Sequence, residues 1–257
     1  MQNVPLPFAA CADVTFVGAG PGAARHLTLG AYQALQDADV VVHDRLVGAE
    51  VLALIPARVR RIDVGKEGFG PSTAQGTIHT VIVTEARAGH RVVRLKGGDV
   101  GIFGRLDEEI EALEAAGLSF AILPGLTSAT VAAAALGQSL TKRGRNKSLR
   151  IVTGHDMEGF AEQDWRGLAQ KGEVAAIYMG KKSARYVQGR LMMHGADPAT
   201  EVSVVENVSR PDQRIFEGPL SSLPDIVAQA HGPAVILFGL APRRAVQALP
   251  IVKEARA

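Results

Sequence analysis

The sequence predicts an α/β chain of two domains with mostly parallel sheets. Three observations carry that expectation. Short β-favouring runs that end in glycine alternate with segments whose apolar residues recur at helical spacing. Apolar residues make up 47% of the chain while aromatics make up 5%, a balance that suits helices packed closely on sheets. With 257 residues there is enough chain for two cores of ordinary size.

Taken in order, Val14 to Val17 is a β-rich run ending in Gly18-Ala19-Gly20-Pro21-Gly22. Leu27, Ala31, Leu35 and Ala38 follow at helical spacing, and Val40 to Val42 is a second strand ending at His43-Asp44-Arg45. Strand, glycine turn, helix, strand is a βαβ unit, which requires a parallel sheet. A weaker strand over Val59 to Val64 ends at Gly65-Lys66, and Ile78, Val81, Ile82 and Ala86 mark a helix that Gly89 stops. Arg91 to Lys96 is the next strand; it runs into Gly97-Gly98-Asp99, then a second glycine turn at Gly104, Arg105, and an acidic helix from Asp107 to Ala116. After a strand at Phe120 to Leu123, Pro124-Gly125 breaks the chain, and the domain boundary is expected there. That gives an arm over residues 1–12, a first domain over 13–123, a second over 124–245 and a tail over 246–257.

The second half alternates again. Leu126 to Leu136 reads as a small-residue helix capped by Thr127 or Ser128. Strands are expected at Leu149 to Thr153, Val174 to Met179, Val202 to Val205, Arg214 to Glu217 and Ala234 to Phe238. The short link between the third and fourth of these favours an antiparallel pair.

The totals exclude several classes. A formal net charge of +2 offers no global field for nucleic acid or membrane. A single cysteine, Cys11, excludes an intramolecular disulfide and suits a reducing cytoplasm. No apolar run approaches the roughly 18 residues of a membrane-crossing helix, and the start lacks the features of a signal peptide. The seven histidines have no metal-ligand spacing, so no metal is expected.

Parallel sheets place ligands beyond the carboxyl ends of their strands, which makes the glycine turns the candidate site. GAGPG meets the first two glycines of the dinucleotide fingerprint, with Asp39 and Asp44 far enough on to hold a ribose, so an NAD- or FAD-binding oxidoreductase is one reading. Pro21 counts against it by removing a backbone donor. Asp44 and Lys66 both follow strand ends and could exchange protons with a substrate; taken singly, each is more often a surface ion pair, and their shared placement beside the Gly97-Gly98 loop brings the two readings nearer to even. Arg105 and Glu108 share a helix face. Lys142, Arg143, Arg145 and Lys147 form a local basic loop, either solvated or an anion clamp, without the aromatics that a nucleic-acid surface would interleave. Met179, after Tyr178 at a strand end, reads as core or as a thioether suited to an adenine or a sulfonium.

The ordered set VGAGPG, HDRLV, VGK, Gln75, VVRLKGGD, FGR, EE, LPGLTSA, TGH, YMG, VEN and GPAVILFG resembles the tetrapyrrole methylase (class III methyltransferase) family over roughly Asp13 to Leu240. HDRLV, VGK, TGH and YMG bring it nearest the branch that methylates uroporphyrinogen III. The resemblance implies two α/β domains with the active-site cleft between them, S-adenosyl-L-methionine as methyl donor, a homodimer, and transfer of two methyl groups to pyrrole carbons to give precorrin-2, upstream of siroheme or cobalamin. A methylase of a later corrinoid intermediate is the neighbouring possibility. By the same resemblance, Pro21, Gly97, Gly98, Asp99, Ile102, Thr127, Ser128, Met179 and Val208 contact the donor. Asp44 is the proton acceptor and Lys66 the proton donor, with Arg105 as the third catalytic residue; Arg105 and Glu108 lie near the anionic tetrapyrrole, whose carboxylates also give Arg143 a task. Departures from the family pattern lie at Ala23-Ala24 (an acid is usual), His43 (tyrosine), Pro71 (histidine), Val208 (glycine), Val100-Gly101 (Pro-Phe) and Leu106-Asp107 (Gly-Gly).

Overall fold

The structure is a computed structural model and describes residues 12–65, 75–157 and 159–244. It divides into two compact units, Met1–Thr127 and Ser128–Ala257. Residues 1–11 of the expected arm, the expected tail, Lys66 and Pro71 lie outside the described residues.

The first unit holds β1 (Val14–Gly18), α1 (Leu29–Asp37), β2 (Val40–His43), α2 (Ala49–Ala53), β3 (Arg60–Asp63), α3 (Gln75–Arg87), β4 (Val92–Lys96), α4 (Leu106–Ala115) and β5 (Phe120–Leu123). Its sheet runs β3-β2-β4-β1-β5 and every neighbouring pair is parallel. The apolar strands pay no penalty for lacking a polar face because both faces are covered. Val17, Val41, Val93 and Leu95 pack with Leu35 and Val51 on one side; Phe16, Val42 and Val92 pack with Ile82 and Leu113 on the other. Thr28 caps α1 by accepting the Ala31 amide at 3.1 Å.

The second unit holds α5 (Ser128–Ala135), β6 (Arg150–Thr153), α6 (Trp165–Leu168), β7 (Ala175–Tyr178), α7 (Ala184–Met193), β8 (Glu201–Glu206), β9 (Arg214–Pro219), α8 (Leu223–Ala228) and β10 (Ala234–Phe238). Here the expectation of a mostly parallel sheet needs correcting. The order is β6-β7-β10-β8-β9, and only β6 and β7 run parallel. The antiparallel β8–β9 hairpin is as expected from its short link. The last strand, β10, sits centrally and antiparallel to both neighbours, a placement its local sequence does not encode. Two buried layers cover this sheet as well, one around Trp165, Leu191 and Ile236, the other around Leu136, Val235 and Leu237.

Candidate functional site

In the first unit the parallel order brings the loops after β1, β2, β4 and β5 to one sheet edge. Ala19 donates to the Lys96 carbonyl at 2.8 Å, and Gly20 and Gly98 exchange backbone bonds of 3.1 and 2.8 Å. These bonds occupy the Ala19 and Gly20 amides, and Pro21, itself buried, has none to give. The glycine turn also does not open a long helix: a short 3-10 turn at Ala24–His26 intervenes before α1 begins at Leu29. Asp39 lies at the opposite end of β2, where Arg91 grips it through Nε at 3.0 Å and Nη2 at 2.9 Å. A pyrophosphate cradle with a ribose acid is therefore not built, and the oxidoreductase reading is not favoured.

The Gly97-Gly98-Asp99 turn has two separate reasons for its glycines. A Cβ on Gly97 would stand 2.8 Å from the Leu46 Cβ, so only glycine lets the Asp44 loop approach this closely. Gly98 has a left-handed backbone at φ +74, and a Cβ there would meet nothing within 4 Å, leaving that face open to a ligand. Asp99 braces the turn: one carboxylate oxygen accepts the Gly101 amide and the other the Gly125 amide, each at 2.9 Å.

Asp44, which follows β2, accepts the Leu46 amide at 2.9 Å through Oδ1, while Oδ2 lies 3.8 Å from the Arg94 Nη2. Its side chain is 26% exposed, reachable yet held. Arg105 and Glu108, expected to share a face, form a two-pronged pair at 2.7 and 2.6 Å. This pairing raises the Arg105 pKa and lowers that of Glu108. Both are exposed beside a recess of about 330 Å³ formed by the loop from Val100 to Glu108. Ile102 is half-buried in that loop.

Three residues that sequence reasoning passed over lie directly behind. Glu109 looked like one more acid at a helix start, yet its side chain is 1% exposed and meets Arg94 at 3.0 Å and Lys96 at 2.5 Å. Burial, with Arg94 nearby, lowers the Lys96 pKa against the opposing pull of Glu109. The signal was present in the sequence: two cations on a strand otherwise buried on both faces require a buried partner.

In the second unit, Ser128 begins α5, and the Tyr178 hydroxyl accepts the Ala129 amide at 3.0 Å, tying that helix start to the end of β7. Met179 follows with a left-handed backbone at φ 52 and half its surface exposed, which is not the core placement that was one of its two readings. Val208 is buried between Asn207 and Ser209, both left-handed. Arg143 is exposed in the basic loop, and Thr127, half-buried, ends the first unit. Among the described residues, the non-glycine positions with left-handed backbone are Phe103, Arg105, Met179, Asn207 and Ser209. Each is a proposed site position or its immediate neighbour. Backbone of this kind costs about 1–3 kcal/mol a residue and gathers where a ligand is held.

Among the described residues no cluster of three or more His, Cys, Asp or Glu could hold a metal ion, and no helix is long and apolar enough to cross a membrane.

A wholly parallel α/β unit with an open glycine edge is joined in sequence to a mixed-sheet α/β unit with strained strand-end loops, the arrangement of a two-unit α/β protein. The family model described as Tetrapyrrole (Corrin/Porphyrin) Methylases matches residues 13–224, and the chain belongs to that family. It is 44% identical over 227 residues to siroheme synthase 1 of Aeromonas hydrophila subsp. hydrophila, covering 88% of this chain and 49% of that protein. It is 43% identical to siroheme synthase of Edwardsiella ictaluri, again over 88% of this chain and 49% of the relative. The chain thus spans about half the length of the curated relatives it matches. Among solved structures, uroporphyrin-III C-methyl transferase from Thermus thermophilus, complexed with S-adenyl homocysteine, superposes with a TM-score of 0.76 at 35% identity, covering 88% of this chain and 96% of that one.

Proposed function

We propose that this chain methylates uroporphyrinogen III at two pyrrole carbons, using S-adenosyl-L-methionine and giving precorrin-2 for siroheme- or cobalamin-type synthesis. The observation that carries this reading is the match over 96% of a uroporphyrin-III C-methyl transferase chain whose structure holds S-adenyl homocysteine. The residues present fit such a donor. Gly98 leaves an open backbone face, and Met179 offers a half-exposed thioether on a strained strand end. In the first unit Pro21, Gly97, Gly98, Asp99, Ile102 and Thr127 would contact the donor, and in the second Ser128, Met179 and Val208. When bound, the donor supplies a methyl already activated by its sulfonium.

The chain's own residues then have three tasks. They align a pyrrole carbon and exclude water, which lowers the barrier by orientation. Attack by that carbon leaves a cationic macrocycle that must lose a proton, and Asp44 accepts it: its carboxylate is fixed by the Leu46 amide yet reachable. Lys66 is proposed as the matching proton donor. Arg105, Arg143 and Glu108 meet the polycarboxylate substrate, Arg105 exchanging its pairing with Glu108 for a substrate carboxylate of the same geometry. A homodimer in the cytoplasm completes the reading.

The test is direct. Purified protein, S-adenosyl-L-methionine and anaerobically generated uroporphyrinogen III should yield the absorbance of the methylated product. S-adenosyl-L-homocysteine binding tightly without any product would overturn the reading and leave a donor-binding relative that performs no chemistry.

A further inference from the structure

We propose that Glu109 is a positioning residue for proton acceptance at Asp44, acting through Arg94. The inference rests on the methyl-transfer reading above and adds to it a group that never touches the substrate.

Three acids open α4: Asp107, Glu108 and Glu109. Interaction with the helix dipole accounts for the two that are exposed. Glu109 points the other way, into the layer beneath β4, with Arg94 and Lys96 buried around it at 3% and 6% side-chain exposure. Stability is a weak reason for such a cluster, because well-packed apolar residues in place of a buried ion pair often do as well or better. Its geometry gives a stronger one.

Nearly every prong of the Arg94 guanidinium is directed. Nε donates to one Glu109 oxygen at 3.0 Å and Nη2 to the other at 3.4 Å. Nη1 donates to the Leu95 and Val42 carbonyls at 3.1 and 3.4 Å, pinning the plane to β4 and β2. The same Nη2 that reaches Glu109 lies 3.8 Å from the Asp44 Oδ2. Two carboxylates therefore share one guanidinium, and Glu109 holds the nearer place. Lys96 takes a second grip on Glu109 at 2.5 Å, and Gln75 donates to it at 3.3 Å. Formally the four charged groups cancel, two cations against two anions.

The consequence concerns Asp44. While Glu109 keeps Arg94 and Lys96 engaged, the Asp44 Oδ2 remains outside hydrogen-bond distance of Arg94 and free to receive a proton. Neutralising Glu109 without changing its shape leaves two buried cations whose remaining carboxylate in the network is Asp44. They draw onto it and occupy the oxygen that the reaction needs.

A double-mutant cycle tests this. Turnover, KM for uroporphyrinogen III, S-adenosyl-L-homocysteine affinity and melting temperature are measured for wild type, Glu109→Gln, Asp44→Asn and the double variant, with residual rates taken from single turnovers. Glu109→Gln should lower kcat by about tenfold, with KM and donor affinity within about twofold. In the Asp44→Asn background the same change should alter the residual rate by less than about twofold, because its target has gone. Equal losses in both backgrounds would overturn the inference and leave Glu109 a purely structural group. A wild type that binds donor and makes no product would overturn the methyl-transfer reading first, and the inference with it. Should Glu109→Gln fail to fold, Arg94→Lys keeps the charge but loses the fork that spans both carboxylates, and the same non-additivity is expected.

Discussion

Two buried glutamates, one in each unit, show how similar burial can serve different ends. Glu206 closes β8 with a side chain 2% exposed. It accepts the His231 amide at 2.5 Å and the Gly232 amide, and it pairs with Arg214 on the neighbouring strand. Burial opposes its ionisation, but those amides and Arg214 prevail and hold its pKa below the usual value. Its partners belong to β9 and the turn before β10, so it latches a hairpin to a loop. Glu109 is as deeply buried, but its partners are side chains, and one of them extends to a reachable carboxylate. A carboxylate satisfied by backbone fixes a fold, whereas one satisfied by movable cations also sets the state of whatever those cations touch.

The largest effect that separates the two belongs to Asp44. Asp44→Ala should lower kcat by about 10²–10⁴-fold, the usual contribution of a positioned general base, with S-adenosyl-L-homocysteine affinity nearly unchanged. An equal fall in donor affinity would make Asp44 a binding residue and remove the functional end of the Glu109 network. Next comes Arg105→Ala, which should lower kcat/KM roughly 10–100-fold, mainly through KM, as expected for about 1.5–3 kcal/mol of charged hydrogen bonding. No change in KM would assign the Arg105–Glu108 pair to the surface. Glu206→Ala should cost about 1–3 kcal/mol by leaving the part-buried His231 and Gly232 amides and Arg214 without their carboxylate. For a chain of this size that is a fall in melting temperature of about 2–4 °C per kcal/mol, with the folded enzyme turning over normally. A large loss of kcat without loss of stability would erase the contrast between the glutamates.

Much of this was legible in the sequence, and the misses share a cause. The βαβ order of the first unit followed from Gly-ended strands and helical spacing, since both are local signals. The central antiparallel place of β10 did not, because a five-residue apolar run reads alike at the edge or the middle of a sheet. Short α2 and α6 went unseen, having too few turns for a period to register. In the candidate site, the residues on loops (Asp44, Gly97, Asp99, Arg105, Met179) stood out because glycine turns and strand ends mark them. Glu109 did not stand out: nothing local separates it from Glu108, and only the packing of α4 on β4 decides which acid turns inward. The departures Val100 and Leu106 found ordinary uses, Val100 buried in the apolar layer that holds Val64 and Ile78 and Leu106 packed against the same layer.

The smallest expected effect lies on the same two strands as the Arg94–Asp44 contact, at their other end. Arg91, just before β4, pairs with Asp39 before β2, much as Arg94 approaches Asp44 after it. Hydrogen bonds from Arg91 hold the Asp39 pKa down to about 2, from an ordinary 3.8. A carboxylate whose folded pKa is lowered stabilises above its unfolded value and loses that contribution as pH falls through the folded one, here from about 4 to about 2. The side chains are 40% and 64% exposed, so solvent screening limits the pair to about 1 kcal/mol or less. Urea unfolding of wild type and Asp39→Asn should therefore differ by at most about that amount at pH 5, converge near pH 2, and converge at any pH in about 1 M salt. Turnover should be unaffected, since this end of the strands carries no loop of the proposed site. A difference that survived acid and salt would mean that Asp39 acts by shape. One that changed turnover would mean that strain passes along β2 and β4 to Asp44, and the two ends of the strand pair would then have to be treated as one device.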